Sequence, residues 1–169
     1  MNILMIALRL IHIIGGVFWV GTSLLFDFFI IPSVRASGEA GQKSLGILIT
    51  KTHLGEAHGI SAILTALAGA SLYWIDSQGF TSAWSRSAAG LGFGIGGIFG
   101  FLGVITGMLG ALPLRTLAET AAQIQGSPTP EQKDKIQTAQ KRLIVIGRID
   151  SAVLILALTF MATARYWRF

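Results

Sequence analysis

Apolar residues run almost unbroken along four stretches of this chain, at about 3–31, 57–75, 88–112 and 143–164. Crossing the hydrocarbon of a bilayer takes about 20 mostly apolar residues in a helix, and these stretches have that scale. Between them the pattern changes without ceasing to be helical. Leu45, Leu48, Ile49 and Thr52 recur at helical spacing, with Lys43 and Lys51 on other faces. Leu114, Leu117, Ala118, Ala121 and Ile124 form one dry side opposite Arg115, Glu119 and Gln123, and Ile136, Ala139, Leu143 and Ile146 repeat the arrangement. A single helix over 38–75 would be about 57 Å long, against ~30 Å of hydrocarbon. The pattern predicts an all-α membrane protein, an up-down bundle of four transmembrane helices with helices extending into the cytoplasm. Residues 1–169 then form a single integral membrane domain.

The breaks are short. Pro32, followed by Ser-Val-Arg-Ala-Ser-Gly, predicts the end of the first helix, and Gly126-Ser-Pro-Thr-Pro the end of the third. Thr129, Pro130 and Gln132 then supply a capping hydroxyl, a proline at the first helical position and an amide at the third, so a new helix is predicted to start there. The connection over 76–87, bracketed by Trp74 and Trp84, is predicted to be the one true loop on the outer side, with its tryptophans at the membrane interface.

Composition narrows the chemistry. Of the 169 residues, 52% are hydrophobic and only 12% are charged, so the four spans leave no room for a separate soluble domain. The opening apolar run is too long for a signal peptide and lacks a small-residue cleavage site, so it is expected to stay as a helix. The absence of cysteine excludes structural disulfides, iron–sulfur clusters, thiolate metal sites and covalently attached haem. The net charge of +5 reports topology, with the lipid bilayer and not nucleic acid as the partner. Arg35, Lys43, Lys51, Arg115, Lys133, Lys135, Lys141 and Arg142 crowd two of the connections, whereas the third holds Arg86 and the C-terminal tail Arg165 and Arg168. That bias predicts the two basic connections in the cytoplasm and both termini outside.

Candidate chemistry lies along one helix face. Arg9, His12, Gly16, Trp19, Ser23 and Asp27 follow one another by three or four residues and so share a side of the first helix. Ionisable groups at membrane depth are costly and turn toward a bundle interior, a partner or a cavity. Two readings fit His12. As a ligand to the iron of a b-type haem, it would have Gly16 to admit the macrocycle edge and Arg9 to meet a propionate. As a packing residue, it would hydrogen-bond to a neighbouring helix while the glycines serve close approach alone. His58 opens the apolar run of the second span and is a possible second axial ligand. His53 and Glu56 form a local polar pair, and the KTHLGEAHG segment lacks the histidine spacing of zinc proteases. Asp27 shares its expected depth with Arg148 and Asp150, which predicts an Asp27–Arg148 ion pair acting as a structural clasp, with Lys51 as the competitor.

The third span carries Gly92, Gly96, Gly100, Gly103, Gly107 and Gly110 at three- and four-residue steps, a groove about 27 Å long. The stripe predicts close helix–helix packing, within the bundle or, through Gly96, Gly100, Gly103 and Gly107, across a homodimer or larger membrane complex, with a groove for a porphyrin or quinone as the alternative. Gly59, Ala62, Ala66 and Ala70 give the second span a matching small-residue stripe.

The segment IHIIGGVFWVGTSLLFDFFIIPSVRA resembles the first helix of small bacterial four-helix membrane proteins of the copper-resistance D-like superfamily. It is more distantly similar to the bacterial membrane protoporphyrinogen oxidase. In these a histidine is followed by a glycine–tryptophan segment, an apolar run and a proline, matched here by His12, Gly16, Trp19, Gly21 and Pro32. The resemblance covers about a fifth of the chain together with the four-span layout. It implies a bacterial inner-membrane location and a haem-associated scaffold whose first-helix histidine, His12, serves haem b. The chain departs from the copper-resistance pattern, since its four methionines are dispersed and histidine clusters are missing. It departs from the oxidase pattern in the later helices.

Three functions follow: a small haem protein of membrane redox or haem-related chemistry, a non-catalytic structural or assembly subunit, and a small metal or ion transporter. Transport fits worst, because no inverted repeat or broken helix is present in the sequence.

Overall fold

The computed structural model describes residues 3–124 and 126–168. It is all helical: α1 (Ile3–Leu25), a π-helical turn (Phe26–Ile30), α2 (Ile31–Ala36), α3 (Gly38–Lys51), α4 (Leu54–Asp76), a short 3-10 turn (Ala83–Arg86), α5 (Ala88–Ala122) and α6 (Pro130–Thr163), which ends in a 3-10 turn (Ala164–Tyr166). Four helical stretches are long and apolar enough to cross a membrane: Ile3–Ala36, Leu54–Asp76, Ala88–Ala122 and Pro130–Tyr166. Their apolar side chains face outward, as Val17 (72% exposed) and Phe101 (64%) illustrate, which is how a chain solvated by lipid distributes its surface. The fold is that of a multi-pass membrane protein. At 35 residues, α5 is about 52 Å long by the helical rise and exceeds a bilayer's ~30 Å core.

The packing divides into two compact units, one of residues 1–21, 59–104 and 152–169, the other of 22–58 and 105–151. In the first, α1 runs antiparallel to α4, with His12 against Gly69 and Gly15 against Thr65 and Ser61. The end of α6 packs antiparallel to α5, where Gly92 meets Ala164, Gly96 meets Met161 and Gly103 meets Leu154. Small residues set these approaches, since with no water to expel, helices in lipid gain from close backbone contact.

The second unit is built differently. Ile31, Val34, Leu45, Leu117, Ile136, Ala139 and Leu143 form a buried cluster drawn from α2, α3, α5 and α6. Charged neighbours in sequence, among them Lys43, Arg115, Glu119, Lys133 and Arg142, are exposed. This is the amphipathic division that the spacing predicts over 43–52, 114–124 and 136–146. Thr129 and Gln132 cap α6 reciprocally, as expected: the Thr129 N–H donates to Gln132 Oε1 at 2.9 Å and the Gln132 N–H to Thr129 Oγ1 at 3.2 Å.

Two boundaries differ from expectation. Pro32 does not stop the first helix, which continues to Ala36. Proline lacks an N–H and its ring crowds the carbonyl four residues earlier. Here the π-turn over Phe26–Ile30 precedes it and takes up the misfit. The chain turns instead at Gly38, whose φ of +56° is the left-handed conformation typical after a helix end. The expected continuous helix over 38–75 is broken at Thr52, which is extended; its hydroxyl accepts from the Leu54 N–H at 3.3 Å and starts α4 afresh.

Candidate functional site

His12 sits half-buried in the first unit. Its Nδ1 donates to the Thr65 carbonyl at 2.8 Å, which leaves Nε2 outside that hydrogen bond. The ring packs against Gly69, where a Cβ would come within 2.7 Å of His12 Cε1 and 2.9 Å of Nδ1. The adjoining glycines are filled from the same helix. A Cβ on Gly15 would stand 2.6 Å from Thr65 Oγ1 and 3.3 Å from the Ser61 carbonyl, and one on Gly16 3.4 Å from the Thr65 methyl group. The buried Thr65 hydroxyl has no hydrogen-bond partner among the described residues. Trp19 is buried, its ring edge against Gly103. Arg9 is exposed and lines an open cleft with Trp84 and Arg165.

Whether these residues suit a haem turns on room. Nε2 has the right chemistry for an axial ligand. The glycine gap does not, because Thr65 occupies the space beside Gly15 and Gly16 that a macrocycle edge needs. The residues on that face of α1 do not fit the group.

His58 belongs to the second unit, half-buried, with its Nδ1 2.8 Å from the Thr22 hydroxyl. His53 and Glu56 meet at 3.1 Å on the exposed surface. Among the described residues no group of three or more histidine, cysteine or acidic side chains is placed to hold a metal.

The second unit also gathers the acidic residues. Ser151 donates to Asp27 Oδ2 at 2.6 Å, Thr106 donates to Asp150 Oδ1, and the Ser23 hydroxyl donates to Asp150 as well. Asp27 packs directly against Gly147, which has no side chain to exclude it. The expected Asp27–Arg148 pair does not form: Arg148 is exposed and so is Lys51, and among the described residues no cation lies in ion-pair reach of Asp27. Helical periodicity gives the reason. Gly147, Asp150, Ser151 and Leu154 make up the buried face of α6, and Arg148 lies about 60° outside that arc, on the exposed side.

Sequence reasoning missed Thr22, Thr65, Thr106 and Ser151, the hydroxyl and carbonyl partners of these groups. Their only signal is small polar side chains one or two turns from a glycine within an apolar run, which is weak because such residues also serve plain packing.

The glycine stripe of α5 also divides. Gly92, Gly96 and Gly103 are filled from α6, whereas a Cβ on Gly97, Gly100 or Gly107 would meet nothing within 4 Å. Comparison with family models, curated proteins and solved structures finds no match to this chain.

Proposed function

We propose that this chain is a non-catalytic structural or assembly subunit of the bacterial inner membrane, working as a homodimer or within a larger membrane complex. The observation that carries this reading is the division of the glycine stripe. Gly97, Gly100, Gly107 and Ala111 share a face of α5 by steps of three, seven and four residues. At the three glycines a Cβ would meet nothing within 4 Å among the described residues, and Ala111 is exposed. Backbone left bare in lipid gains from another helix that packs against it. Gly96 and Gly103, spent on internal packing, drop out of the interface. The basic connections support a cytoplasmic location for the turns at Gly38 and Gly126, with both termini outside.

A second reading, haem b on His12, draws on one observation: Nδ1 donates to a backbone carbonyl, as it does in many ligating histidines. Against it stands the filled space beside Gly15 and Gly16.

The test is cross-linking in native membranes. Gly100→Cys is expected to give a disulfide-linked species on mild oxidation, and Ile63→Cys, exposed on α4, is expected to give none. A Gly100 variant that stays uncoupled to itself and to any co-purifying protein sinks the subunit reading.

A further inference from the structure

The open cleft beside Arg9 lies wholly within the first unit. Arg9, Asp76, Gln78, Ser82, Trp84, Ala89, Phe93 and Arg165 line a space of about 390 Å³. It therefore draws on α1, the connection after α4, the start of α5 and the end of α6.

Its wall is firmly held. The Ser77 side chain is wholly buried; its hydroxyl donates to the Trp74 carbonyl at 3.2 Å and accepts from the Phe80 N–H at 3.1 Å. Gln78, Gly79 and Phe80 all take the left-handed conformation, with φ of 51°, 67° and 68°. Side chains other than glycine persist there only where surrounding contacts impose it. Those contacts are visible: Tyr73 packs on Phe80 and Trp84, Trp74 on Phe80, and Trp84 stacks on Phe93 with centroids 6.3 Å apart. The Tyr73 hydroxyl ties this cluster to the Gly90 carbonyl at 3.2 Å.

On this wall stand two guanidinium groups and one carboxylate, and among the described residues none is in an ion pair with another. Three unpaired charges around one cleft suit a ligand that carries the complementary set, two negative oxygens and one cation. Ile6, Leu10 and Ile13 flank Arg9 on the outside of α1, all exposed, so an apolar surface for acyl chains adjoins the charged end. Arginines snorkel to the membrane interface, and basic pockets there take lipid headgroups.

We infer that the cleft binds a phospholipid headgroup bearing both a phosphodiester and an ammonium group. Arg9 and Arg165 take the phosphate oxygens, for which planar guanidinium groups are well suited. Asp76 takes the ammonium. This rests on the chain lying in a bilayer and is independent of any partner at Gly100.

Native mass spectrometry of the full chain in detergent, titrated with phosphatidylethanolamine, phosphatidylglycerol and soluble phosphoethanolamine, tests it. The ethanolamine lipid is expected to be retained roughly fivefold better than the glycerol lipid, and Arg9→Gln and Arg165→Gln each to weaken its retention roughly fivefold, the effect of one interfacial cation. Asp76→Asn is expected to erase the preference without weakening the glycerol lipid. All three side chains are exposed, and unchanged melting midpoints confirm that the variants fold. Equal retention of both lipids by the wild type, or arginine variants that hold lipid like the wild type, overturns the inference. So does saturation by soluble phosphoethanolamine at the concentration that saturates with lipid, which would make the occupant a free phosphate ester.

Discussion

The surroundings of Gly15 and of Leu117 are both helix–helix contacts, yet they are assembled on opposite terms. Around Gly15 the partners are Thr65 and Ser61, and the rest of that unit is set by Gly92, Gly96 and Gly103, while large apolar residues such as Ile13 and Val17 point outward. Around Leu117 the large residues point inward, with Leu45, Ile136 and Leu143, and the charges point outward. In lipid the exterior is as apolar as the core, so close approach and dispersion decide the packing. In water apolar area itself is the driving force. One chain thus carries both packing patterns, and α5 and α6, at 35 and 34 residues, are longer than the ~30 Å hydrocarbon core of a typical bilayer requires.

If that difference is real, the two regions fail in opposite ways. Removing volume should hurt most at Leu117. Leu117→Ala is expected to cost about 2–5 kcal/mol, read as a lowered SDS-unfolding midpoint of the solubilised chain; a loss near zero would mean that this cluster is not a core. Adding volume should hurt at Gly15. Gly15→Ala places a methyl group 3.3 Å from the Ser61 carbonyl, a backbone atom that cannot rotate away, and is expected to cost about 1–3 kcal/mol. Since Thr65 Oγ1 is the closest obstacle, Thr65→Ala in the same chain should recover much of the loss, and additive losses would contradict the contact. The smallest effect has the opposite sign. Gly100→Ala meets nothing within 4 Å and is expected to stabilise the monomer by about 0.5–1 kcal/mol, the helix-propensity gain, while weakening self-association.

Much of this was legible in the sequence. The four spans, their amphipathic continuations and the Thr129–Gln132 cap follow from spacing and from well-defined capping chemistry. Spacing also put His12, Gly16 and Trp19 on one face. What spacing does not carry is the partner across the gap. Depth along an axis can be counted from a turn, so Asp27 was placed at the level of α6, but the rotation of α6 decides between Arg148 and Ser151, and that rotation is fixed by the glycines and serines opposite. Pro32 misled for a similar reason: the rule that proline ends a helix holds for the hydrogen-bond register of an α-helix, and a π-turn changes the register. The break at Thr52 rests on one hydroxyl in an otherwise continuous pattern.

The role of His12 decides between the two readings: its Nδ1 is held by the Thr65 carbonyl in both, and only in the haem reading does its Nε2 ligate iron. The most direct measurement is the haem content of the full chain purified in mild detergent from haem-replete bacterial cells, by absorbance and by pyridine hemochrome, for wild type and His12→Ala. No stoichiometric haem is expected in either. One haem per chain in the wild type, lost in His12→Ala, would contradict this and restore the redox reading.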